Sequence, residues 1–172
     1  MKIFFKVLNF IILVLCILLQ FAFFENFKLV NIGIDIVLVA IIGITIFNGE
    51  IYGMAYGFFA GMLIDILSGR IIGISALLYA LGAFLAGRVS GLELKKKILT
   101  DLLLVLIVTE LNILFKSGVY YLFGFSASSA KLGLEMLINP VFNAALMFIL
   151  FPLLDLGRER KEELGFIFKK KA

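Results

Sequence analysis

Six long apolar runs occupy most of this chain, and they restrict its fold more than any motif does. About 20 consecutive apolar residues are needed for a helix to cross the hydrocarbon core of a membrane. The runs comprise residues 7–24, 29–47, 51–67, 71–89, 98–123 and 133–155. Hydrophobic residues make up 63% of the 172 residues, against about 45–50% in an ordinary globular domain. The sequence therefore predicts an all-α membrane protein, a compact bundle of six transmembrane helices.

The polar segments are short, which predicts one membrane domain. No segment between the runs is polar enough to form a separate soluble domain, so residues 1–156 are predicted to form the membrane domain and residues 157–172 a short basic tail. Of the sixteen Lys and Arg residues, twelve fall on the side of the N-terminus and three on the opposite side. Because Lys and Arg accumulate in cytoplasmic loops, both termini are predicted to be cytoplasmic.

The amino-acid inventory excludes most kinds of catalytic site. Histidine is absent and Cys16 is the single cysteine, which rules out intrachain disulfides, Cys or His metal clusters, and Ser-His or Cys-His nucleophile pairs. The basic residues adjoin apolar runs instead of alternating with aromatic residues on a soluble face, which indicates membrane topology and not nucleic-acid binding. We expect no enzyme activity, no cofactor, no metal site and no nucleic-acid partner.

A track of glycines lies on one face of the third run and ends at an acid. Its members are Gly49, Gly53, Gly57, Gly61 and Asp65. Residues four apart lie nearly above one another on a helix, so this face has no side chains to keep a neighbouring backbone away. Small residues at this spacing promote helix association in membranes. We interpret the track as a groove for a partner helix, anchored by Asp65.

Packing within the chain is the alternative reading of this glycine track. A second stripe of mostly small residues follows the same spacing on the fourth run, and a groove of glycines suits such a surface. This stripe comprises Tyr79, Ala83, Gly87 and Gly91. The sequence alone leaves both readings open.

Ionisable residues inside the runs need partners, because a charge in hydrocarbon is costly. From the predicted orientation, Asp35, Asp65 and Lys116 lie in the outer half of the membrane, whereas Glu110 is the deepest acid. We expect Asp35 or Asp65 to pair with Lys116, either for a functional role or as a buried ion pair that sets helix register. Two acids on adjacent helices also occur in membrane aspartyl proteases, but the G-x-G-D pattern of one such family is absent.

One block of the chain, together with single positions elsewhere, resembles the MreD family of rod-shape-determining membrane proteins. The central signature is matched by residues 56–69, which read YGFFAGMLIDILSG, and then by Gly73 and the pair Ala76-Leu77. Glu110 in the fifth run, and Asn143 with Pro152 in the last, also resemble family positions. Many members have Pro before the acid of the second span, whereas Ile34 precedes Asp35 here, so no role is carried over to Asp35.

This resemblance implies a non-enzymatic scaffold in the peptidoglycan elongation machinery of the bacterial inner membrane. The implied partners are MreC, the actin-like MreB, and the RodA-type glycosyltransferase with its transpeptidase, reached directly or through MreC; membrane lipid surrounds the bundle. The resemblance also implies a fold similar to the substrate-binding subunits of energy-coupling-factor transporters. The alternative function is therefore the capture of a small vitamin-like ligand for transport. The first run argues against this alternative, because Asn9, Leu13, Ile17 and Phe21 form no small-residue stripe.

Overall fold

The chain folds as a bundle of α-helices, which confirms the predicted all-α class. The structure, a computed structural model, describes residues 2–24, 34–69, 71–90, 97–124 and 129–155. The helices are α1 (Lys2–Leu19), which continues as a π-helical turn (Gln20–Phe24), α2 (Ile36–Asn48), α3 (Glu50–Ser68), α4 (Ile74–Ser90), α5 (Lys97–Leu122) and α6 (Ser129–Asp155). The predicted tail, residues 157–172, lies outside the described residues.

Three of the helices are long and apolar enough to cross a membrane. These are Glu50–Ser68, Ile98–Leu122 and Leu132–Asp155. The other apolar helices are shorter: Val7–Ala22, Ile36–Asn48 and Ile74–Ser90. The structure therefore supports a membrane protein with three candidate spans, and the count of six remains a prediction.

Helix α2 lies at the centre of the bundle. Every residue from Ile36 to Thr45 is buried, and α2 contacts α1, α3, α4 and α6. A helix that is apolar all round must be covered by other helices or by lipid, and in α2 the residues from Ile36 to Thr45 are covered by the protein itself. The described helix begins at Ile36, later than the predicted start at residue 29, and residues 25–33 lie outside the description. At its other end, Gly49 adopts a φ of 103° and separates α2 from α3.

Helices α3 and α4 form a closely packed antiparallel pair. The turn between them begins at Gly69, whose left-handed backbone (φ 62°) ends α3. A Cβ atom added to Gly57 would lie 2.9 Å from the carbonyl oxygen of Tyr79, and one added to Gly61 would lie 2.5 Å from the Cα atom of Ala76. Both positions must therefore be glycine for the α4 backbone to approach this closely.

The glycine track is thus a real groove, but the chain fills it itself. Tyr79 and Ala76 of α4 occupy the space beside Gly57 and Gly61, and Thr45 of α2 occupies the space beside Gly53. The contacts agree with packing inside the chain, because a partner helix at this groove would have to displace α4. Gly49 lies before α3 and has open space beside it, so it is not part of the filled groove.

Replacing Gly61 with alanine is expected to destabilise the bundle, whereas the same change at Gly133 is not. Overpacking of this kind costs about 1–3 kcal/mol, and nothing lies within 4 Å of a Cβ atom added to Gly133. Cys16, the single cysteine, is buried and serves as a reporter, because a fluorogenic maleimide labels it only after unfolding. The Gly61→Ala protein should react at a lower temperature than Gly133→Ala in the same detergent. Equal transitions would contradict a tight contact between α3 and α4.

Candidate functional site

The first turn of α2 lies inside the bundle, and polar side chains satisfy its free backbone N–H groups. Asp35 is the N-cap residue, and its Oδ1 accepts a hydrogen bond of 3.0 Å from the N–H of Leu38. The Oε1 atom of Gln20 accepts a second, also 3.0 Å, from the N–H of Val37. The start of a helix carries a partial positive charge, which stabilises a carboxylate at this position. The Asp35 carboxylate therefore has hydrogen-bond donors inside the bundle and needs no cation.

Tyr79 makes the shortest hydrogen bonds to the Asp35 carboxylate. Its hydroxyl lies 2.7 Å from both carboxylate oxygens and donates to them, and its side chain has no exposed surface. A hydrogen bond to an ionised acceptor is roughly twice as strong as one between neutral groups. The contact fixes the distance between the start of α2 and the middle of α4.

Asn143 extends the same network to α5 and α6. Its Oδ1 accepts a hydrogen bond of 3.1 Å from the backbone N–H of Asp35, and its Nδ2 donates one of 3.1 Å to the hydroxyl of Thr109. Thr109 and Asn143 each lie near the midpoint of a long helix. Asp35 therefore lies near the midpoints of α5 and α6.

We call these residues the Asp35 network: Gln20, Asp35, Tyr79, Thr109 and Asn143. They come from α1 with its π-turn, the start of α2, α4, α5 and α6. Each hydrogen bond in the network joins groups of this chain, so the arrangement holds five segments in one register. Its donors and acceptors fit a structural anchor, and the described residues contain no group of three or more Cys, Asp or Glu side chains arranged to hold a metal ion.

Asp65 performs the equivalent task for α4. Its Oδ2 accepts hydrogen bonds of 2.9 Å from the N–H groups of both Gly73 and Ser75, at the start of that helix. The Asp65 side chain is buried. The acid that ends the glycine track therefore caps a helix of its own chain, and it does so beside the groove that this helix fills.

The expected ion pair between Lys116 and Asp35 or Asp65 is not formed. In the described part of the chain, Lys116 has no acid within ion-pair distance, and the two acids bind the groups named above. The physical reason is that helix N-termini supply hydrogen-bond donors close to both carboxylates, so neither needs a cation. The two acids also engage separate groups and do not form the carboxylate pair that an aspartyl protease requires.

Some buried polar atoms have no hydrogen-bond partner within the described residues, and those on Glu110, Asn112 and Asn139 lie on α5 and α6. They are Oε2 of Glu110, Nδ2 of Asn112 and Oδ1 of Asn139. Asn112 and Asn139 lie one helical turn from Thr109 and Asn143, toward the end where α5 stops and α6 starts. These groups remain for water or a partner to satisfy.

Three members of the Asp35 network were not found by sequence reasoning about function. Gln20 and Thr109 are polar residues within apolar runs, which is a signal visible in the sequence. Tyr79 was assigned only to the small-residue stripe, and nothing local to it indicates a carboxylate partner. Asn143, which the family resemblance singled out, does lie in the network.

The sequence model of one protein family, described as rod shape-determining protein MreD, matches residues 1–156 of the chain. No curated protein sequence and no solved structure matches it. The expected likeness to energy-coupling-factor subunits therefore remains a prediction.

Removal of the Tyr79 hydroxyl is expected to destabilise the bundle through Asp35. Tyr79→Phe removes the hydroxyl donor of a half-buried carboxylate, at a cost of about 1–3 kcal/mol. In a double-mutant cycle with Asp35→Asn, measured by labelling of Cys16, the double variant should lose less than the sum of the single losses. The same cycle between Asp35→Asn and Lys116→Gln should be additive to within about 0.5 kcal/mol. Strong coupling of Asp35 to Lys116 would contradict the network.

Loss of the Asp65 carboxylate is expected to weaken the start of α4. Asp65→Ala leaves two backbone N–H groups without an acceptor and should cost about 0.5–2 kcal/mol, as for other helix caps. Asp65→Asn keeps one acceptor oxygen and should retain most of the stability. Hydrogen exchange of the first turn of α4 provides the local measurement. Equal exchange in the alanine and asparagine variants would show that the hydrogen bonds to Asp65 contribute little.

Proposed function

Because the chain belongs to the MreD family of rod shape-determining proteins, we propose that it is a non-enzymatic membrane scaffold of the peptidoglycan elongation machinery and that it docks MreC. The family has a role in determining rod shape, and this chain is a membrane protein of that family. That the protein is a scaffold and that it binds MreC are our proposals. The observation that carries it is the family match over residues 1–156 of 172.

The internal architecture supports a scaffold more than a catalyst. The Asp35 network and Asp65 use their polar atoms to cap helices and to hold segments in register. Glycines bring α3 and α4 into backbone contact. A bundle fixed in this way presents its outer helix faces in a constant geometry, which is what a docking protein needs.

The remaining assignments follow from the family and the charge distribution. We place the protein in the bacterial cytoplasmic membrane with both termini in the cytoplasm, and we treat residues 1–156 as the membrane domain and residues 157–172 as a basic tail. MreB and the RodA–transpeptidase pair are reached directly or through MreC. The glycine groove is occupied by α4, so a partner has to use another surface.

Depletion of the protein in its own host should turn rod-shaped cells round, and MreC should co-purify with it in mild detergent. Gly61→Ala, which weakens the bundle, should complement the depletion less well than the matched Gly133→Ala variant. Cell width measured by microscopy and the amount of MreC measured by mass spectrometry are the two readouts. Normal rods after depletion, or a small vitamin-like molecule recovered in place of MreC, would contradict the scaffold.

A further inference from the structure

One outward face of α5 carries residues at alternating spacings of four and three, and an acid lies in the middle. Its members are Leu103, Ile107, Glu110, Leu114, Ser117 and Tyr121. A repeat of this kind averages 3.5 residues and keeps one stripe of a helix facing a partner helix. We call these residues the α5 stripe. It lies apart from the filled glycine groove of α3.

The apolar members of the α5 stripe are exposed on the described bundle, whereas Glu110 and Ser117 are partly buried. Leu103, Ile107 and Leu114 are 49%, 57% and 47% exposed, although α5 also buries another face that includes Val105 and Val108 against the rest of the protein. Gly118 adjoins the stripe, and nothing lies within 4 Å of a Cβ atom built on it. A small residue next to an exposed stripe lets a second helix approach closely.

Glu110 is the ionisable residue of this otherwise uncharged stripe. It lies near the midpoint of α5, where a helix of this length passes through the centre of a membrane. Its Oε2 is shielded and has no hydrogen-bond partner within the described residues. In hydrocarbon an ionisable side chain needs a cation or a hydrogen-bond donor beside it. The described part of the chain supplies neither, unlike the donors that it supplies to Asp35 and Asp65.

We propose that the α5 stripe binds the transmembrane helix of a partner, which places a basic or amide side chain beside Glu110. A single polar residue within an apolar repeat fixes register and orientation between two helices, and charge complementarity selects a partner with a donor at that depth. A second copy of this chain fits poorly, because the symmetric contact sets Glu110 against Glu110. The partner's identity rests on the proposed function, which makes MreC the protein to test.

Site-specific crosslinking tests this surface in native membranes. The photoreactive residue p-benzoylphenylalanine is incorporated in place of Ile107 or Leu114, and in place of Phe59 or Ile66 as controls. The control positions are exposed residues of α3, so they sample another membrane-facing surface. Crosslinks to MreC are expected from α5 and not from α3.

Variants of Glu110 test whether its polar side chain is needed to bind MreC. Glu110→Leu should reduce crosslinking and co-purification of MreC by about tenfold or more, whereas Glu110→Gln, which still accepts and donates hydrogen bonds, should retain most of both. The labelling temperature of Cys16 shows that each variant is folded. A folded Glu110→Leu protein that loses MreC therefore identifies an interface residue and not a packing residue.

The outcomes separate this inference from the proposed function. If MreC co-purifies but crosslinks arise only from α3, or if Glu110→Leu captures MreC as well as the unaltered protein does, the α5 stripe is not the interface and the scaffold proposal stands. If the unaltered protein captures no MreC, both proposals fail.

Discussion

The fold depends on satisfying the backbone N–H groups where helices start inside the bundle. In hydrocarbon no water reaches these groups, and each one left free is costly. Asp35 accepts from the first turn of α2 and Asp65 from the start of α4. The two acids that looked like functional charges in the sequence are thus the helix caps that allow short helices to begin within the protein. The same arrangement stabilises their negative charge without a cation.

The acids can accept these hydrogen bonds only if the helices lie very close together, and the glycines allow that close approach. The carbonyl of Tyr79 packs on Gly57 while the hydroxyl of Tyr79 binds Asp35. One residue of α4 therefore links the α3 groove to the start of α2. A side chain at Gly57 would push α4 away and lengthen the hydrogen bond to Asp35. The glycines let the helices lie close enough for the acids to form their hydrogen bonds, and those hydrogen bonds in turn hold the helices together.

The sequence predicts the helices and the close approach of the third one, but not the partners of the acids. Apolar runs specify helices because their length matches a membrane, and glycines at four-residue spacing specify a groove on α3. In the described residues α2 begins after Asp35, and an Asp before Ile36 is a helix-start signal that the apolar run alone does not show. The contact between Asp35 and Asn143 joins residues 108 positions apart. Nothing local encodes that register, and it appears only when the helices are packed.

The contrast between the acids carries a functional meaning. Asp35 lies at the start of α2 and Asp65 lies beside the start of α4, where free N–H groups donate hydrogen bonds to them. Glu110 lies in the interior of a helix whose N–H groups are already used by its own backbone. A helix interior has no donors to offer, so any donor for Glu110 must come from another side chain. The hydrogen bonds of Tyr79 and Asn143 serve the Asp35 network, and neither involves a residue of the α5 stripe. An acid in this position is best explained by a surface that is completed by a second membrane protein.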